Sequence, residues 1–182
     1  MVLRRLTAGL ALLGLVLGGA ALLYREAIAH GFSAREKPWA IEAFVAQHLR
    51  RLATGTEAAQ LQNPFAPTPE ILAEARDHFA EECALCHGLD GSGQTEVGQG
   101  LYPPAPDLRD PDTQQLSDGE LYSIIRNGIR FTGMPAWDEE GEEDAHWKVV
   151  LFIRHLPDFT AEELERMREV HPEEEDSIHT HH

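Results

Sequence analysis

The chain has 182 residues, 42% of them hydrophobic, and a net charge of −16. That length suits one modest domain with appendages. The acid is uneven: residues 1–66 hold seven Lys/Arg and four Glu (+3), and residues 67–182 hold 8 basic and 27 acidic side chains (−19). Such a surface repels phosphate backbones and excludes nucleic acid as a partner. Its long-range field favours basic partners, although solubility alone accounts for the acid equally well.

Arg4 and Arg5 precede an uncharged run of 19 residues, 6–24. A membrane-spanning helix needs about 20. Two arginines before the run and a mixed Arg25-Glu26 after it place the N-terminus inside and export the rest. A cleaved signal peptide is the alternative, with Ala27-Ile28-Ala29 as its cleavage site. The apolar run exceeds the usual signal core of about 7–15 residues, which favours a retained anchor over residues 1–30.

Residues 31–67 read as an amphipathic helix and a linker. Pro38 suits a first helical turn. After it, Ile41, Phe44, Val45, His48, Leu49 and Leu52 form one apolar stripe. Such a helix can pack on the following domain, lie on a membrane surface or dock a partner subunit, and His48 fits as an interfacial residue of that stripe. From residue 53 to Pro67 the pattern stops, and Gly55, Asn63-Pro64 and Pro67 read as linker.

At Thr68 a new helix opens, with Thr68 as N-cap, Pro69 at its first position and Glu70 near its positive end. It places Phe79 in the core and leads into Cys83-Ala84-Leu85-Cys86-His87. This is C-x-x-C-H, the attachment sequence for a c-type haem. Two thiols three residues apart can add to the two vinyl groups on one porphyrin edge, and the next histidine then lies under the iron. Two other chemistries use C-x-x-C. A dithiol redox motif follows a strand, and none precedes this one. A tetrahedral zinc site wants a second Cys/His pair, and the chain has two cysteines in all.

Gly88-Leu89-Asp90-Gly91-Ser92-Gly93 then reads as a flexible polar loop. Residues 101–108 are extended and proline-stiffened, suited to a wall beside the porphyrin, with a prolyl carbonyl free to fix the His87 ring through its second nitrogen. Ser117-Asp118-Gly119-Glu120 is a capping box. It opens a helix with Leu121, Ile124 and Ile125 on its apolar side and Gly128 at its end. Met134 sits between Gly133 and Pro135. A lone methionine is usually core filler, but this loop setting suits a sixth iron ligand, because a His/Met pair is the usual axial set of electron-carrying c-type haems.

Residues 139–144 read as an acidic turn, and 146–156 as a helix stopped by Pro157, with Trp147, Val150, Leu151 and Arg154 on one face. The last part, 159–182, opens with a second capping box at Thr160. It continues as a charged helix to about Val170 and ends as an acidic tail with the composition of a disordered segment. His179, His181 and His182 close it and could bind copper, nickel or zinc.

Residues 68–158 resemble a class I monohaem cytochrome c. The likeness is carried by Cys83–His87, Ala105-Pro106-Asp107-Leu108, Asp118-Gly119-Glu120-Leu121 and Gly133-Met134-Pro135-Ala136-Trp137. With the N-terminal segment, the whole is similar to membrane-anchored bacterial monohaem cytochromes. The resemblance implies an all-α class I fold of three to five helices around one covalently attached haem c. It implies Pro106 as the carbonyl partner of His87, Leu108 against the porphyrin, and a helix through Phe79 crossing one through Trp147 and Phe152. The acidic stretch 138–144 and the charged tail lie outside that pattern.

The expected function is single-electron transfer in a respiratory or related periplasmic chain, with iron held by His87 and Met134 and no catalytic residues. The haem domain would sit on the periplasmic side of a bacterial inner membrane. Its partners would be redox proteins, met either as a free carrier or as a subunit of a larger oxidoreductase. Two other classes stay open: a haem gas sensor or peroxidase-like enzyme with a labile sixth ligand, and a metal-handling protein using the terminal histidines.

Overall fold

The computed structural model describes residues 2–30, 41–42, 44–46, 57–137 and 141–171. The chain divides into two compact units, residues 1–36 and 37–182. The first holds one helix, α1 (Val2–His30). Its stretch Gly9–Glu26 is long and apolar enough to cross a membrane. Leu12, Leu15, Val16, Leu17, Leu22 and Leu23 are all exposed on it, a surface that suits lipid and not water.

The amphipathic helix expected over 38–52 lies largely outside the described residues. Within it, 41–42 and 44–46 have helical backbone, and Ile41, Phe44 and Val45 are exposed. The terminal histidines His179, His181 and His182 lie outside the described residues altogether.

The second unit is helical, with no strand among the described residues. Four helices of ten or more residues carry it: α2 (Pro69–Glu82), α6 (Asp118–Asn127), α7 (Glu143–His155) and α8 (Ala161–Val170). One-turn helices α3 (Ala84–His87), α4 (Glu96–Gly100) and α5 (Pro111–Gln114) sit between them. The long helices begin where local chemistry dictates. Thr68 accepts the Ile71 N–H, and the pairs Ser117/Glu120 and Thr160/Glu163 form reciprocal capping boxes. Each satisfies backbone donors that a helix start leaves orphaned.

Helix α7 is the central element. It starts at Glu143, three residues before the expected His146, because Glu143 and Asp144 are favoured at a positive helix end. Its buried set runs nearly all round: His146, Trp147, Val149, Val150, Leu151, Phe152 and Ile153. It is covered on several sides. Phe152 meets Phe79 of α2 with ring centroids 5.0 Å apart. Trp147 stacks on Tyr122 of α6 at 4.1 Å and 5°. Phe159, just past the 3-10 turn Leu156–Asp158, meets Phe152 edge-on at 5.5 Å.

The stretch 57–67, which its prolines mark as linker, packs on this unit. The Asn63 side-chain amide donates to the Trp147 carbonyl at 2.8 Å. Lys148 lies over the Phe65 ring, and a Cβ at Gly119 would sit 1.9 Å from the Ala58 carbonyl oxygen. These contacts depend on partners more than 50 residues away, so local composition does not announce them.

Polar staples fix the chain between α5 and α6. Arg154 pairs with Asp118 at 2.9 Å, donates to the Gln114 carbonyl at 2.8 Å and also donates to the Leu116 carbonyl. Replacing it leaves two carbonyls and a carboxylate without their donor. Arg154→Met should lower unfolding free energy by about 2 kcal/mol in a urea titration followed by circular dichroism.

Helix α8 carries a pH-sensitive contact. Burial pushes the Glu163 carboxyl up, but the Thr160 amide, the His155 ring and the Thr160 hydroxyl together pull it down to about 2. A depressed folded pKa stabilises above the ordinary value of 4.5 and loses that contribution as pH falls toward about 2. Glu163→Gln should therefore be less stable than the wild type at pH 6, and the difference should shrink steadily in melts taken between pH 4.5 and pH 2.

Candidate haem site

Cys83 ends α2 and begins α3. Its carbonyl accepts the Cys86 N–H at 3.2 Å and the His87 N–H at 2.9 Å. Residues three and four apart share a helix face, so Cys83, Cys86 and His87 line one side of a single turn. Ala84 points into the core and is fully buried, whereas Leu85 is 42% exposed. Both thiols are free and half-buried.

The following chain folds back on this turn. Thr95 Oγ1 donates to the Leu85 carbonyl at 2.8 Å and lies 3.2 Å from the Cys86 carbonyl. The same oxygen caps α4 by accepting the Gly98 N–H at 2.8 Å. Gly98 approaches so closely that a Cβ there would lie 2.1 Å from the Cys86 carbonyl oxygen. Gly93 donates its N–H to the His87 carbonyl at 2.7 Å. Its φ of +69° suits glycine, and a Cβ would meet the Ala105 and Pro106 carbonyl oxygens at 2.5 and 3.0 Å. Segment 88–93 is therefore not a flexible loop. Gly91, Ser92 and Gly93 are buried, Asp90 accepts the Ser92 N–H, and Leu156 lies over Gly91. Long-range packing closes a loop whose composition alone reads as mobile.

Electrostatics at the turn favour neutral groups. Burial pulls the His87 imidazole below its ordinary pKa, while the Pro106 carbonyl works the other way as a hydrogen-bond acceptor. The ring is thus neutral near pH 7 and keeps a lone pair for a metal. Its Nδ1 is buried without an acceptor in full hydrogen-bond geometry. Burial first, then Glu82 and Cys86, push the Cys83 thiol up to about 12. Burial also raises Cys86. A dithiol redox centre needs the opposite shift. No group of three or more His, Cys, Asp or Glu side chains is placed to hold a metal ion among the described residues. Two free thiols and one neutral, partly orphaned imidazole on one face fit a covalently attached haem.

Leu108 is buried within the core and donates its N–H to the Gly91 carbonyl at 2.8 Å. Gln114 holds the Leu108 carbonyl at 2.7 Å and the Ile153 carbonyl at 2.9 Å. Met134 stands on a separate loop after α6 and is half-buried. That loop is closed by Ile129 N–H to the Met134 carbonyl at 3.2 Å and by Met134 N–H to Thr132 Oγ1 at 3.1 Å. The Leu101 side chain lies over Gly133, joining the loop to the segment that wraps the C-x-x-C-H turn. The structure thus gathers Cys83, Cys86, His87 and Pro106 and sets Leu108 in the core beside them. Met134 is tied in through Leu101.

His146 is only 2% exposed, and neither ring nitrogen has a partner. Burial lowers its pKa, aided by His78 and Arg126 and opposed by Glu142 and Glu143. Its ring lies 6.4 Å from Tyr122. The signal was present in the sequence, since His146, Val149, Val150 and Ile153 follow the spacing of a buried stripe.

Helices α2, α6 and α7 around a C-x-x-C-H turn and a Gly-Met-Pro loop define a class I c-type cytochrome, carried by a chain whose first helix is apolar enough to cross a membrane. Its cofactor is covalently attached haem c. The family described as "Cytochrome C oxidase, cbb3-type, subunit III" matches residues 70–153. The cbb3-type cytochrome c oxidase subunit CcoP of Cereibacter sphaeroides is 31% identical over 86 residues, 47% of this chain and 28% of that protein. Subunit FixP of Rhizobium meliloti is 30% identical over 89 residues, 48% of this chain and 28% of that protein. The thiosulfate dehydrogenase of Stutzerimonas stutzeri is 39% identical over 54 residues, 28% of this chain and 18% of that protein. The aligned stretch spans less than a third of each of these relatives.

The tight approach of α4 to the turn gives a test. Gly98→Ala must push α4 away from the Cys86 carbonyl or displace the turn itself. Haem-to-protein ratio measured by pyridine haemochrome should fall severalfold, while Gly100→Ala, which meets no neighbour within 4 Å, should load normally.

Proposed function

We propose that Cys83 and Cys86 form the thioether links to one haem, that His87 and Met134 are its axial ligands, and that residues 68–158 pass single electrons between redox proteins. The observation that carries this is the one-turn constellation: two free thiols and a neutral imidazole on one face, with the Pro106 carbonyl acting on the ring. The haem, once attached, supplies a one-electron iron couple. The chain supplies the rest. Pro106 orients His87, and Leu108 presents an apolar surface to the porphyrin. Ile129 and Thr132 hold the Met134 backbone in place. Thioether ligation and an apolar surround favour the ferrous state.

The anchor reading follows from α1, whose apolar side chains are exposed along its length. In this reading it stays in a bacterial inner membrane with its N-terminus cytoplasmic, the haem domain is periplasmic, and residues 31–67 connect the two. The two relatives that are oxidase subunits by name support service in a larger respiratory oxidoreductase, as a subunit or as its donor.

Optical spectra of the matured protein decide the ligation. The wild type should be low-spin when reduced and should not bind carbon monoxide. Met134→Ala should keep the haem through denaturing electrophoresis, become high-spin and bind the gas promptly. A wild type that binds the gas at once would replace the carrier reading with a sensor or enzyme.

A further inference from the structure

Acidic side chains are spread unevenly along the domain. Residues 121–137 are the longest stretch of 67–182 without Asp or Glu, 17 residues with two arginines, Arg126 and Arg130. Residues 97–106 carry no charged side chain at all. Leu101 lies over Gly133, so these two stretches are neighbours in space as well. Together they contribute no carboxylate of their own to this face. Pro103, Pro104, Phe131, Pro135 and Ala136 are exposed on it. Glu42 reaches it, and its carboxylate accepts the Tyr102 hydroxyl at 2.6 Å.

Phe131 marks the tip. It is 92% exposed, and its φ is +64°. A bulky side chain rarely adopts that left-handed conformation. The turn that imposes it is held by Thr132, whose N–H and hydroxyl both donate to the Ile129 carbonyl, at 3.2 and 2.8 Å. A strained backbone that turns a large aromatic ring into water has no gain within the chain itself. Exposed Arg130 stands next to it, and Met134 follows three residues later.

We propose that this face is where the domain docks a redox protein whose own contact surface is apolar and edged by carboxylates. Phe131 enters the apolar part and Arg130 meets the acidic edge. The proposal rests on the electron-transfer reading above and adds the partner's surface chemistry. Aromatic and arginine side chains are the usual anchors of such interfaces. The charge pattern also selects orientation. Carboxylates elsewhere on the domain repel an acidic edge, and these two stretches add none. At physiological salt the Debye length is about 8 Å, so the local pattern outweighs the net charge at contact.

The test uses the full-length haem protein in detergent, reduced and mixed by stopped flow with oxidised plastocyanin, a copper protein with an apolar patch and an acidic edge. At about 0.15 M ionic strength, Arg130→Glu should lower the second-order rate constant about ten-fold. Phe131→Gly should lower it about ten-fold as well, although relief of the backbone should leave its melting temperature equal or higher. Both variants should keep the wild-type spectrum and reduction potential. Tris(phenanthroline)cobalt(III), a small cation, should oxidise Arg130→Glu faster than wild type. Wild-type rates with plastocyanin in both variants would overturn the docking face and leave the carrier reading standing. A wild-type haem that reduces neither oxidant would overturn the carrier reading, and the docking face with it.

Discussion

A four-residue helix cannot hold two thiols and an imidazole in register by itself. Fixing a first turn costs more conformational freedom than its few hydrogen bonds return. The Cys83–His87 turn persists because other elements clamp it. From one side, α2 delivers the chain with Phe79 locked against Phe152. From the other, Thr95 and Gly98 close on the Leu85 and Cys86 carbonyls. Segment 88–108 must then fold tightly enough for its prolyl carbonyl to act on His87. Leu156, Gln114 and Arg154 hold that segment and the start of α6 to the central helix. The core is thus a frame built around one turn.

The parts of this frame that are local were legible in the sequence. Thr68, Ser117 and Thr160 each cap a helix through contacts three residues away, and three-residue patterns are visible without a fold. The C-x-x-C-H motif is local too, and so was the tie between its spacing and one porphyrin edge. The all-α class came from these elements together with the resemblance to class I cytochromes.

What was missed depends on distant partners. Segment 88–93 has the composition of a mobile loop, but Leu156 and the chain at 105–106 bury it. The stretch 57–67 carries linker prolines, yet Asn63 and Phe65 find partners on α7. His146 has a polar name on an apolar stripe, and only the surrounding helices show that both of its nitrogens are enclosed. A buried polar group without a partner costs about 1–3 kcal/mol, so neutral imidazole is the form this core tolerates. Electrostatics were legible only as a sum. The net charge of residues 67–182 hides two stretches without carboxylates of their own, which prove to be neighbours once Leu101 and Gly133 are seen to touch.

The Cys83 thiol has a consequence for the order of events during maturation. Held at about 12, it stays protonated at any physiological pH, and the thiolate is the reactive form. The folded polypeptide therefore protects this sulfur from chemistry. A proposed thioether at Cys83 is therefore favoured while the turn is still open. A chain that closes without its porphyrin keeps this half-buried sulfur in its less reactive form.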